Sequence, residues 1–129
     1  MSFDWEEYLK LAEALQANPN TPGPPEAALR AATSRAYYAA FKSALNFARS
    51  EGFKPTYSGN DHWNVRRRFR DYKPNKTRRK ISVELGRMYD NRRKADYSDT
   101  LSTSPNTLAY LTIRMARSVL KKLDSLAND

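Results

Sequence analysis

The sequence predicts an all-α protein: an up-and-down helical bundle of four long helices plus one short helix, filling a single domain over 129 residues. Three observations lead there. Apolar residues recur at spacings of three and four along five stretches, as on a helix with one buried face. Only four glycines leave little for the tight turns of an all-β fold. The one strand-like stretch, Thr100-Leu101-Ser102-Thr103, is too short to count on.

Ser2 is expected to cap a first helix from about Phe3 to Ala17, with Trp5, Leu9, Ala12 and Leu15 as its packing stripe. The run Asn18-Pro19-Asn20-Thr21-Pro22-Gly23-Pro24 breaks it, because three prolines remove donors and fix φ. Pro25 then suits a first helical position, and Glu26 favours the positive end of the helix dipole. This second helix should run to Ser50 or Glu51 and stop at Gly52. Alanine on more than one of its faces lets neighbours approach closely, which makes it the central helix.

Asp61 or Asn60 is expected to cap a short helix from about His62 to Tyr72 carrying Trp63, Val65, Phe69 and Tyr72. After Lys73-Pro74-Asn75, a helix from about Thr77 to Lys94 turns Ile81, Leu85, Met88 and Tyr89 inward and its arginines outward. Ala95 to Asp99 is read as the break after it. Ser104-Pro105 is a cap followed by a first-turn proline, and it opens a last helix to about Ala127 with the stripe Leu108, Leu111, Met115, Val119, Leu123 and Leu126.

Composition removes several chemistries. With no cysteine, disulfides, thiol catalysis and cysteine-ligated zinc are excluded, and the single histidine, His62, removes most other transition-metal sites. There is no Gly-rich phosphate loop, no Ser-His-Asp or Cys-His arrangement and no carboxylate pair at recognisable spacing, so neither a metal nor a cofactor is expected. No apolar run reaches the roughly 18 residues of a membrane span, and the start Met1 to Glu7 is acidic, so a cytoplasmic protein is expected.

Charge points to a partner. From His62 to Lys94 there are thirteen Lys or Arg against three acids, +10, while the rest has ten bases against eleven acids. A field gathered in one third of the chain suits a polyanion, most commonly nucleic acid. Arg35 lies among small and apolar residues, where a guanidinium needs a partner; a buried pair with Asp96 or Asp90 is expected. Tyr37 and Tyr38 point about 100° apart on a helix, so one is placed in the core and the other along a groove.

The segments Arg30-x-x-x-Ser34-Arg35-Ala36-Tyr37-Tyr38-Ala39-Ala40-Phe41 and Leu85-Gly86-Arg87-x-Tyr89-Asp90-x-Arg92-x-x-Ala95-Asp96-Tyr97, with His62 between them, resemble the HEPN superfamily in its bacterial and archaeal branch. The resemblance runs from about Trp5 to Tyr97; the last helix matches only as a helix. It implies a helical bundle that commonly dimerises, with Arg35, Tyr37, Tyr38 and Asp96 as structural signature. In many members it implies a metal-independent RNase, whose arginine is followed after four to six residues by a histidine. Arg92 matches that arginine, but the histidine position falls on Tyr97 to Asp99. Tyrosine, with an ordinary pKa of about 10, is a poor proton shuttle near neutral pH.

The leading expectation is therefore an RNA- or nucleotide-binding domain with a degenerate RNase motif. Arg66, Arg67, Arg70, Arg93 and Lys94 would contact phosphate, in a homodimer belonging to a toxin-antitoxin or defence-type unit with a cognate antitoxin or nucleotidyltransferase-like partner. A metal-independent endoribonuclease using Arg92 with Tyr97 or His62 is the second expectation, and a non-enzymatic scaffold the third.

Overall fold

The computed structural model describes residues 2–20 and 23–129. Met1, Thr21 and Pro22 lie outside the described residues, and with them the first residue of the acidic start and the middle of the proline-rich loop. Five helices follow in order: α1 Glu6–Ala17, α2 Pro25–Ser50, α3 Asp61–Asp71, α4 Lys76–Tyr97 and α5 Pro105–Ala127. No strand occurs among the described residues, so the all-helical expectation holds. Three helices exceed 20 residues, and α1 and α3 are about half as long.

Helix α2 packs against all four others. Its alanines 32, 36, 39, 40, 44 and 48 are all fully buried, so the neighbouring helices come close on several sides. Tyr37, Phe41 and Leu45 from α2 join Val65 and Phe69 from α3, Ile81, Leu85 and Met88 from α4, and Ile113 and Val119 from α5 in one core. Gly52 ends α2 at φ 96°, where its missing Cβ makes the left-handed conformation inexpensive. Its N–H donates to Arg49 and that of Phe53 donates to Ala48, which satisfies two terminal carbonyls.

The capping expectations divide. Ser104 accepts from the Thr107 N–H at 3.1 Å as expected, and Asn75 caps α4 by accepting from the Arg78 N–H at 2.7 Å. Helix α1 starts later than expected, because Asp4 rather than Ser2 supplies the acceptor, taking the Glu6 N–H at 3.0 Å. At α3 neither expected cap forms. The buried Asp61 carboxylate instead accepts from the N–H groups of Thr56 and Tyr57 at 2.9 and 2.7 Å and from the Thr56 hydroxyl. Burial alone would raise this carboxyl, but those donors outweigh it and hold its pKa below the ordinary value. Asp61 thus fastens the loop before α3, including Tyr57 at φ 56°.

Two further expectations are corrected. Helix α4 continues through Ala95, Asp96 and Tyr97, because Arg30 of α2 donates to the carbonyls of Ala95 and Ser98 at 3.1 and 2.6 Å and Ala95 is buried. Terminal carbonyls that would otherwise lack partners are satisfied from outside the helix. In α5, Leu111 is exposed, and Ala109, Thr112, Ile113 and Ala116 fill the core face beside Leu108, Val119 and Leu123. No described helix is long and apolar enough to cross a membrane.

Candidate nucleic-acid interface

Where α2, α3 and α4 meet, the central tyrosine pair is separated in depth. Tyr37 is 1% exposed, and its hydroxyl lies 2.5 Å from His62 Nδ1. Tyr38 is half-buried and lines a shallow pocket of about 240 Å³ with Phe41, Lys42, Tyr57 and His62. The His62 ring stacks on Phe41 at 4.5 Å and tilts against Tyr89 at 5.1 Å. Burial pushes the Tyr37 hydroxyl well above its ordinary value, so it keeps its proton. Burial also lowers the His62 pKa, helped by the positive charges of Arg92, Arg66 and Lys42. A protonated phenol beside a neutral imidazole makes Tyr37 the natural donor and leaves the imidazole proton on Nε2.

Arg92 projects into the same seam and is only 7% exposed, so the outward placement of the α4 arginines is wrong here and at Arg78, which is 3% exposed. The cause is helical position. Arg78, Ile81, Leu85, Met88, Arg92 and Ala95 follow each other at three or four residues and share the core face. The Arg92 guanidinium sits 5.5 to 5.9 Å from the ring centroids of Tyr37, Tyr38, Tyr89 and Tyr97. Its Nη1 reaches Asp96 Oδ2 at 3.5 Å, and the Ser34 hydroxyl donates to the same oxygen at 3.1 Å. Burial would lower this guanidinium, but Tyr38, Tyr97 and Asp96 outweigh it, so Arg92 stays charged at any physiological pH.

Of the two residues expected as alternatives to act with Arg92, Tyr97 meets it from the solvent side at 70% exposure, and His62 approaches through the Tyr37 and Tyr89 rings it shares with Arg92. The expected Arg35 ion pair is not formed, because Asp96 is taken by Arg92 and Ser34. Arg35 is half-buried, donates to Ser34 Oγ at 3.4 Å and lies over the rings of Tyr8 and Tyr38 at 4.8 and 5.5 Å. Cation–π contact replaces the carboxylate.

Of the thirteen bases between His62 and Lys94, four are ion-paired among the described residues: Arg68 and Arg78 with Glu51, Arg70 with Asp71, and Arg92 with Asp96. The other nine have no carboxylate partner there. Arg66 is half-buried; Arg67, Lys73, Lys76, Arg79, Lys80, Arg87, Arg93 and Lys94 are exposed. Lys76, Lys80, Arg87 and Lys94 fall on the face of α4 opposite its core stripe, spread over roughly 27 Å at the rise of an α-helix. Toward α5, Arg87, Lys94 and Arg114 line a groove of about 630 Å³ with Leu111 and Met115, and the carboxylates of Glu84 and Asp90 share it.

Sequence reasoning missed two features. The Glu51 carboxylate grips buried Arg78 through two bonds of 2.9 and 3.1 Å, and only the helical phase of Arg78 hinted at its burial. Trp63, carried on α3 with Val65 and Phe69 but given no role by the sequence, is 47% exposed between two arginines. Phasing against Val65 and Phe69, both fully buried, would have placed Trp63 off the core face. No group of three or more metal-ligating side chains occurs among the described residues. Comparison with family models, with curated proteins and with solved structures finds no match to this chain.

Proposed function

We propose that this chain is a HEPN-like domain that binds RNA or a nucleotide through the basic surface of α3 and α4, as a component of a toxin-antitoxin or defence-type system. The supporting observation is the set of eight exposed lysines and arginines in this region with no carboxylate partner among the described residues. Solvated charge alone confers solubility, but a cluster of one sign costs self-repulsion, which a bound polyanion relieves. This reading carries with it a homodimer and a cognate partner, antitoxin-like or nucleotidyltransferase-like.

Salt tests it. If about five of these side chains contact phosphate, affinity for single-stranded RNA falls about a hundredfold between about 50 and 200 mM salt, a log-log slope near −3.5. Replacing Lys80 and Arg87 together by alanine should flatten that slope by about 1.4. Absence of binding at the low-salt end, or binding indifferent to salt, defeats the reading.

A metal-independent endoribonuclease is the second reading, supported by the shared packing of Arg92 and His62 on Tyr37 and Tyr89. With Nδ1 taken by the Tyr37 hydroxyl, the Nε2–H of the neutral imidazole can donate a hydrogen bond to a phosphate oxygen, and a permanently charged guanidinium can stabilise a phosphorane. Cleavage of labelled RNA in chelator, abolished by His62→Ala and by Arg92→Ala in folded protein, is its signature; cleavage unaffected by both removes the site.

A further inference from the structure

We infer that the seam between α3 and α4 is a base-stacking track for single-stranded RNA, with Trp63 and Tyr97 as its two open platforms; this rests on the RNA-binding reading and specifies its substrate class. Guanidinium groups and aromatic rings alternate along the seam. Arg66 of α3 lies 5.4 Å from the Trp63 ring centroid and 5.2 Å from that of Tyr89 on α4. Arg92 then lies 5.5 Å from Tyr89 and 5.8 Å from Tyr97, and Arg93 lies 5.9 Å from Tyr97. Trp63 has a second arginine, Arg70, at 5.4 Å.

Both ends of this series are open and its middle is fixed. Trp63 and Tyr97 are 47% and 70% exposed, Arg66 and Tyr89 are half-buried, and Arg92 is buried. Packing needs neither end residue, since α3 reaches the core through Val65 and Phe69 and α4 ends on buried Ala95. Gly86 contributes room in the middle: a Cβ there would stand 3.1 Å from Arg66 Nη1. The Nε atoms of Arg66 and Arg92 are buried without a hydrogen-bond partner among the described residues; Arg66 is held against rings with no carboxylate there, and Arg92 adds only its 3.5 Å contact with Asp96 to the rings around it.

An exposed indole and phenol, each flanked by guanidinium, offer flat apolar faces inside a positive field. Unpaired bases present matching faces, and stacking on aromatic side chains tolerates any sequence. Duplex RNA hides its base faces in its own stack and could use only the phosphate contacts. The substrate class is therefore single-stranded, with Arg66, Arg70 and Arg93 beside the stacked bases and the outer lysines and arginines of α4 along the backbone.

The test compares a labelled twelve-nucleotide single strand with the duplex of the same sequence at fixed low salt, using fluorescence anisotropy. Wild type, Trp63→Leu, Trp63→Phe, Tyr97→Leu and the Lys80→Ala/Arg87→Ala pair are measured, each checked for wild-type helicity. Expected are preference for the single strand, a loss of at least about fivefold in single-strand affinity for Trp63→Leu and for Tyr97→Leu, partial recovery in Trp63→Phe, and unchanged duplex binding in all three. The paired charge variant should weaken both ligands. If both leucine variants bind the single strand within about twofold of wild type, or the duplex binds as tightly, the stacking track is wrong while RNA binding stands. If no variant or wild type binds either RNA, both readings fall together.

Discussion

Replacing Glu51 by glutamine removes one charge from the junction that holds α2, α3 and α4 together. Arg78 is 4% exposed at its side chain and Glu51 21%. The guanidinium donates twice to the carboxylate and otherwise faces the rings of Phe69 and Tyr72 at 4.9 and 5.5 Å. Arg68 of α3 reaches the same residue, donating to the Glu51 main-chain carbonyl at 3.1 Å with its carboxylate 3.9 Å away. Breaking a buried pair from one side leaves the other charge without compensation, which costs about 3–5 kcal/mol. Partial exposure of Glu51 places the expected loss at the lower end, about 3 kcal/mol. With an unfolding entropy of about 2.1 cal/mol/K per residue over this length, that lowers Tm by about 11 °C.

Arg78→Met removes the buried charge itself and leaves an apolar chain against Phe69, with Arg68 still near Glu51, so it should cost about 1 kcal/mol or less. The double variant should resemble Arg78→Met, giving a coupling of about 3 kcal/mol in urea unfolding with unchanged m-values. A Glu51→Gln variant within about 1 kcal/mol of wild type, or Arg78→Met costing more than Glu51→Gln, refutes the reasoning that an unpaired buried guanidinium is the dominant penalty.

His62 is the only histidine, so its ring protons give an unambiguous NMR titration; the midpoint should fall below 6.5 and move upward in Arg66→Ala, since burial and neighbouring positive charge both disfavour the imidazolium. Because the unfolded chain takes up that proton near 6.5 and the folded one resists it, this residue's contribution to stability is full above about 6.5 and is lost as pH falls toward the depressed folded value. A midpoint at or above 6.5 would contradict the packing assigned to it. Gly86→Ala should leave stability within about 1 kcal/mol of wild type by thermal unfolding, because the helix propensity gained by alanine is offset by the displacement of Arg66 Nη1, 3.1 Å from the new Cβ. A loss beyond about 1 kcal/mol would mean that Arg66 cannot yield.

The local signals in the chain were strong wherever one residue type satisfies one requirement. Pro25, Gly52 and the Ser104-Pro105 pair fix helix ends through a missing donor, a left-handed φ and a side-chain acceptor; α2 begins and ends, and α5 begins, where those residues place them. Period and composition likewise determined the all-helical class and the central, alanine-lined α2. Tertiary structure decided the matters that depend on a partner distant in sequence. Arg30 extends α4 by supplying donors from α2, Glu51 draws Arg78 into the core from 27 positions away, and Asp96 answers to Arg92 and Ser34 instead of Arg35. The basic charge of residues 62–94 was visible in the sequence, but its division into four paired and nine unpaired groups was not. A charge is the same letter whether or not a carboxylate from another helix reaches it; only three-dimensional packing brings that carboxylate within a few ångströms.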